Sequence, residues 1–385
     1  MSRDNVRRLE NNPVGLPNFD DLGKYIRHPV FDRFKCWEGT VPEGLLINFL
    51  GATTLESLWS QLFSPLEQYP KNRAERSVKT EYPEFNEEYF EWVDLLEAVA
   101  SAEGQFVMLE LGAGWGRWSA NAIAALRQSN DIPYHLVLVE AEPSHFQWMI
   151  DHLRANRIDL GRCRLIEAAV AGKDGRVGFN VHSDPVNDYG QTIGGSTEVA
   201  AVSLNTLLAP LERIDLIDID VQGAEFDVLN AAEEALDQKV KRLHVATHSH
   251  QIEGALCSLF GRLGWNCLHN FPCQTSIDTE WGTISFQDGV QTWINPAHSQ
   301  GPEDVISILT GKLQRSRAEG ARLWAELDKL RADLDQLRCE ITLQRASIAW
   351  KLIEKSRRVR DRMIPMGSRR RMTYDSIINR MHKFW

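Results

Sequence analysis

The spacing of apolar residues along the chain changes period several times, and each change predicts a different kind of structure. Up to residue 88, short apolar bursts such as Leu45-Leu46-Ile47-Asn48-Phe49-Leu50 are separated by Pro13, Pro17, Pro29, Pro42, Pro65, Pro70 and Pro83. Proline offers no backbone N–H to a helix or a strand ladder, so residues 1–88 predict an N-terminal extension of short strands and turns. From Glu88, Tyr89, Phe90, Trp92, Val93, Leu95, Leu96 and Val99 recur at three- and four-residue spacing, a helix with one broad apolar face that opens a main domain over 89–298.

Within that domain, apolar runs at 106–111, 135–139, 164–168, 214–219 and 243–246 alternate with helical patterns at 118–128, 144–156, 224–236 and 253–263. Most of the runs are nearly continuous rather than alternating, as expected for parallel strands covered by helices on both faces. The prediction is an α/β fold, a doubly wound Rossmann-like sheet with its ligand site at the carboxyl ends of the strands. Residues 282–294 are two apolar runs joined by Asp288-Gly289 and predict a hairpin, with a closing antiparallel pair at the end of the sheet.

Beyond Gly301, Leu323, Leu327, Leu330, Leu334, Leu337 and Ile341 step by 4-3-4-3-4 among charged residues. This is the seam of a short coiled coil, placed at 301–349 and expected to join copies of the chain; an amphipathic helix docked on the body is the alternative. Residues 350–385 follow as a basic amphipathic tail carrying Trp350, Leu352, Ile353, Val359, Met363 and Ile364. The tail changes how the net charge of −10 is read. Residues 351–385 hold eleven Lys/Arg against three acids, a net of +8, which leaves −18 on the other 350 residues. So acidic a body argues against nucleic acid as a partner, whereas the tail fits a peripheral contact with an anionic membrane.

A hydrophobic content of 43% excludes a wholly disordered chain. No secretory signal and no run of about 18 uncharged apolar residues is present, and the six scattered cysteines lack zinc spacing, so a cytoplasmic protein with reduced thiols and no structural metal is expected.

The chemistry concentrates at strand ends. Glu110-Leu111-Gly112-Ala113-Gly114-Trp115-Gly116 lies between a strand and a helix, where glycines let the backbone approach a ligand closely. The third glycine falls at 116, where a dinucleotide fingerprint would need one at 117, occupied by Arg117; the spacing favours S-adenosylmethionine and disfavours an NAD-dependent oxidoreductase. Glu140, 24 residues beyond Gly116 at the next strand end, can accept the hydroxyls of a ribose. Acids at Asp218 and Asp220 on an otherwise apolar strand should emerge at its carboxyl end beside the cofactor, and Glu225 suits the first turn of the next helix. For a methyl transfer to a hydroxyl, the candidate proton acceptors are Asp220 and His248 or His250; a divalent cation on Asp220 and a neighbouring acid or His is another way to lower the hydroxyl pKa. Residues 188–196, rich in glycine, form a candidate substrate lid.

Together ELGAGWG, VEAEPSHF at 139–146, AAV at 168–170 and IDLIDIDVQGAEFDVL at 214–229 resemble the FkbM-type class I methyltransferases over about residues 105–295. Asp220, Gly223 and Glu225 match that family's DVQGAE-like segment; Asp218 stands where its common form has lysine, and Gln222 where it has glutamate. The resemblance implies S-adenosylmethionine-dependent O-methylation of a sugar or polyketide hydroxyl, a small-molecule or glycan acceptor. The candidate cofactor residues are therefore Glu110, Gly112, Gly114, Gly116, Glu140, Ala168 and Asp218, and the candidate catalytic residues at the reacting hydroxyl are Asp220 and His248. A non-catalytic Rossmann-like module that assembles through its coiled coil is the alternative of a different class.

Overall fold

The computed structural model describes residues 27–56, 77–180, 190–279, 281–299 and 301–381. The expected short elements come first: a 3-10 turn at Pro29–Arg33, then β1 (Glu38–Thr40), β2 (Leu45–Ile47), β3 (Thr53–Leu55) and β4 (Ser77–Lys79), with β1 pairing β4 and β2 pairing β3, both antiparallel. Helix α1 (Tyr89–Ala100) follows as its apolar spacing predicts. Its Phe90, Trp92, Val93 and Leu96 are buried in one cluster with Phe31, Phe34 and Phe49, so these N-terminal residues belong to the same core as the sheet. Each such side chain contributes about 1.5–3 kcal/mol on burial.

The main sheet is built from β5 (Phe106–Leu111), β6 (Tyr134–Glu140), β7 (Cys163–Glu167), β11 (Leu216–Ile219), β12 (Arg242–Thr247), β13 (Asn266–Phe271) and β16 (Gly289–Ile294), in the spatial order β13-β16-β12-β11-β5-β6-β7. Strands β7, β6, β5, β11 and β12 run parallel, and β16 is antiparallel to both β12 and β13. The strand order reverses at β5, whose neighbours β6 and β11 flank it, and this is the topological switch point at which open α/β sheets bind ligands. Between the strands run α2 (Arg117–Ser129), α3 (Pro143–Ala155), α4 (Leu204–Leu208), α5 (Glu225–Ala231), α6 (Glu233–Lys239) and α7 (His250–Leu263). A small sheet of β8 (Ala169–Ala171), β10 (Thr197–Ser203) and β9 (Gly175–Phe179) stands beyond β7 in the chain.

Two expectations need correction. The stretch 282–294 is not a hairpin: β15 (Gly282–Phe286) pairs with β14 (Thr275–Thr279), while β16 lies between β12 and β13 and so has no free edge for β15. The antiparallel pair that closes the sheet is β13 with β16. The helix expected over 224–236 is interrupted at Ala232, whose backbone (φ −118°, ψ 20°) leaves the helical region. Alanine carries no break signal. The Asn205 side chain takes the carbonyl of Ala231 at 2.8 Å, an acceptor that a continuous helix would use itself.

One lateral row of polar side chains crosses the sheet face beneath α1. Glu110, Asp218, His244, Thr292 and His269 occupy neighbouring positions on β5, β11, β12, β16 and β13. From α1, Asp94 accepts from Arg242 at 2.7 Å and from Thr292 at 2.5 Å, and lies 2.7 Å from His244 Nδ1; Glu97 takes the other Arg242 nitrogen at 2.8 Å.

The structure divides into two units at Arg315/Ser316, inside α8 (Pro302–Ala346). The second unit continues through α9 (Ile348–Met363) and α10 (Arg369–Met381). Among the described residues no helix is long and apolar enough to cross a membrane.

Candidate functional site

The loop after β5 is shaped by glycines that no other residue could replace without strain. Gly112 (φ +78°) approaches the end of β11 so closely that a Cβ there would lie 1.9 Å from the carbonyl oxygen of Asp220. Gly114 (φ +52°) turns its N–H onto Glu140 Oε2 at 2.7 Å. Gly116 (φ +71°) serves packing: its Cβ would come 2.9 Å from Met149 on α3, so the third glycine lets α2 settle against its neighbours.

These strand ends border a cleft of about 100 Å³, lined among others by Gly112, Gly114, Glu140, Ala168, Gln191 and Asp220. Glu140 projects from the end of β6 and is almost fully buried; its Oε1 accepts from the N–H of Glu142 at 2.8 Å. Burial raises its pKa, against the pull of these N–H groups. Each carboxylate oxygen has a second lone pair, so Glu140 can still accept hydroxyls from a ligand in the cleft. Val139, Ala141, Val170, Phe179 and Ile193 supply an apolar wall. The composition of an adenosine-bearing cofactor, a ribose diol joined to a flat apolar base, fits a buried acceptor beside such a wall.

Gln191 and Ile193 bring the described part of the glycine-rich loop into the cleft wall; Asp188 and Tyr189 of the expected lid lie outside the described residues. Three residues expected at the cofactor stand elsewhere, outside the residues that line the cleft. Gly116 has the packing role given above. Glu110 turns its carboxylate onto the N–H groups of Trp118 (3.1 Å) and Ser119 (2.8 Å), capping the start of α2. Its pKa rises to about 8, through burial first and then the charge of Asp218. Asp218, expected to emerge at the strand end, instead stays buried beneath α1, hydrogen-bonded to Glu91 and next to His244. Burial lifts Asp218 to about 7, and burial with the charge of Asp218 pushes Glu91 well above the usual carboxyl value.

Asp220, one residue past the end of β11, does reach the cleft. Its side chain is set among protein groups yet 45% exposed at the mouth. Loss of surrounding water raises its pKa to about 6; Glu225 and Asp288 push the same way and His248 opposes them. The turn that follows places Gln222 in the left-handed region (φ +52°), and Gln222 Nε2 donates to Asp220 Oδ1 at 2.8 Å. Backbone strain of this kind in a non-glycine residue persists only where the surroundings fix it.

His248 and His250 are separated by the structure. His248 Nε2 lies 3.4 Å from Asp220 Oδ1, and its Nδ1 lies 2.8 Å from Glu225 Oε1, which also accepts from Gly223 N–H at 2.9 Å. Burial alone would lower the His248 pKa, but Glu225, Asp220 and Asp288 outweigh it and hold it up to about 9. His250 is turned away onto Glu253 at 2.9 Å. Glu225, fully buried, therefore orients a histidine in addition to suiting its helix N-terminus. Among the described residues, three groups bring donor atoms within 4.8 Å of one another as a cation would need: Asp220–Glu225–His248, Glu91–Asp218–His244 and His250–Glu253–Cys273.

A parallel sheet with an antiparallel strand between its last two, a glycine turn after β5 and an acid ending β6 define a Rossmann-like methyltransferase domain. Residues 110–263 match the Methyltransferase FkbM domain family. A protein of Jannaschia sp. (strain CCS1), named as a methyltransferase, is 25% identical over 251 residues, covering 60% of this chain and 86% of its own. Among solved structures, the methyltransferase FkbM of Methylobacillus flagellatus KT aligns at 13% identity and a TM-score of 0.32, over 50% of this chain and 45% of that one. Precorrin-6y C5,15-methyltransferase of Geobacter metallireducens GS-15 aligns at 13% identity and 0.33, over 53% and 86%. Residues 110–263 are thus similar to the FkbM methyltransferase domain, and the chain is an S-adenosylmethionine-dependent methyltransferase.

Proposed function

We propose that this enzyme methylates a hydroxyl group of a sugar or another polyhydroxylated small molecule, with Glu140 holding the cofactor ribose and Asp220 receiving the hydroxyl proton. The observation that carries the reading is the position of Asp220: an acid in the cleft wall, backed by His248 and Glu225, at the edge of the pocket that Glu140 closes from below. When bound, S-adenosylmethionine supplies a methyl group already activated on a sulfonium. The protein's part is then to aim an acceptor oxygen and take its proton as the new bond forms. Asp220 is poised for this because it is ionised at neutral pH yet more basic than an ordinary aspartate. His248, protonated and anchored by Glu225, keeps that carboxylate in place.

The cofactor half of the reading is tested by calorimetric titration with S-adenosylmethionine. Glu140→Ala is expected to weaken binding by about 1–3 kcal/mol, the range for a hydrogen bond to a charged group. Affinity equal to the wild type would take Glu140 out of the site. The acceptor half is tested by screening sugars for incorporation of a labelled methyl group.

We also propose that the enzyme self-associates through α8. Leu323, Leu327, Leu330, Leu334, Leu337 and Ile341 all stand exposed along one heptad stripe, and a second copy of the stripe would cover it. Sedimentation should show an oligomer that Leu330→Asp with Leu337→Asp reduces to a monomer; a wild-type monomer at tens of micromolar would end this proposal.

A further inference from the structure

The unit that begins at Ser316 ends in a helical hairpin whose surface combines two features rarely left together in water. Its first feature is charge. The three acids of residues 351–381 are spent internally: Glu354 on Arg358 at 3.2 Å, Asp361 on Arg360 and Arg371, and Asp375 on Arg371 at 3.0 Å. Lys351, Lys355, Arg357, Arg362, Arg369, Arg370 and Arg380 are left without a carboxylate partner among the described residues. The second feature is an apolar stripe. At 100° per residue, Leu352, Val359 and Met363 fall on one side of α9, with Lys351, Lys355 and Arg362 along one border and Arg360 along the other. All three apolar side chains are at least half exposed, as is Met366 in the turn to α10.

The hairpin holds its shape without using that stripe. Arg371, almost fully buried on α10, bridges Asp375 one turn on and Asp361 of α9, and this clamp sets the two helices against each other. Between them Leu352, Val359, Met363, Ile364 and Tyr374 border an open groove of about 770 Å³.

We infer that α9 and α10 dock on an anionic lipid surface, with the stripe entering the boundary between headgroups and acyl chains and the basic borders meeting phosphate. A second copy of the hairpin would bring +7 against +7, so charge opposes self-docking here. Water alone would leave the stripe uncovered. An anionic membrane satisfies both features at once, since apolar burial and electrostatic capture add on an amphipathic basic helix. The groove is part of neither the cofactor cleft nor the leucine stripe of α8.

The test is flotation of the full-length protein with vesicles of phosphatidylcholine alone and of phosphatidylcholine with phosphatidylglycerol, at low and high salt. Binding to the anionic vesicles is expected, weakened by salt but not abolished. Lys351→Gln with Lys355→Gln and Arg362→Gln should lower the low-salt partition about a hundredfold. Leu352→Ser with Val359→Ser and Met363→Ser should remove the salt-resistant part. Retained S-adenosylmethionine binding and unchanged helical circular dichroism certify that each variant is folded. The inference is overturned by absence of binding to anionic vesicles at low salt, by equal binding to neutral ones, by variants that float like the wild type, or by capture of an acidic protein segment in place of lipid.

Discussion

Replacing Asp220 by asparagine is expected to lower the rate of methyl transfer by about 10²–10⁴-fold, the usual contribution of a positioned proton acceptor, while S-adenosylmethionine still binds within about tenfold of the wild type. Asparagine keeps the shape and the hydrogen bond from Gln222 but cannot take a proton. The pH profile supplies an independent readout. Asp220 works ionised, so activity should climb as pH rises through about 6 and hold while His248 stays charged, up to about 9. Because the two groups are 3.4 Å apart, these limits belong to the pair. Wild-type turnover in the variant, or an acid limb that persists in its residual activity, would remove Asp220 from the chemistry.

The second large effect is on stability. Asp94→Asn should destabilise the enzyme by about 3–5 kcal/mol, the range for removing one partner of a buried ion pair, read as a lower midpoint in urea. Asp94 is fully buried, and the variant leaves the Arg242 guanidinium beneath α1 with Glu97 as its remaining carboxylate. Burial on its own would raise the Asp94 pKa, but His244 and Arg242 outweigh it and hold it at about 2. Its folded pKa is thus below the unfolded one, so the stabilisation is complete above the unfolded value near 4 and drains away as pH falls toward 2. The variant should lack that part of the acid dependence. An unchanged urea midpoint at pH 7 would show that the Arg242 charge is satisfied without Asp94.

What could be read from the sequence followed from local rules. The glycines at 112 and 114 require positive φ, and the carboxylates at 140 and 220 stand at the ends of apolar runs, so their place in the cleft was legible. What sets His248 apart from His250 is Glu225, which arrives from another element and which no local pattern reveals. Glu110 looked like a ligand because it opens the glycine loop, and Asp218 because an acid in an apolar run must be compensated; Glu110 proved to cap a helix N-terminus and Asp218 to pair with Glu91 of α1. No local pattern reveals that α1 will cover the sheet, so Asp94 within its apolar face reads as an anomaly until Arg242 and His244 are found opposite. The misplaced hairpin at Asp288-Gly289 has the same origin, since the turn signal is local and the insertion of β16 between β12 and β13 is not.

The polar row from Glu110 to His269 also acts as a proofreading device for strand alignment. A purely apolar face tolerates a sheet assembled two residues out of step, because one branched side chain fills another's place at small cost. Here such an offset between β11 and β12 would set Arg242 or Ala246 opposite Asp218 in place of His244, breaking up the buried polar arrangement that Asp94 of α1 completes. Misaligned sheets are thereby penalised, and the cleft, lined from the ends of β5, β6, β7 and β11, inherits that accuracy.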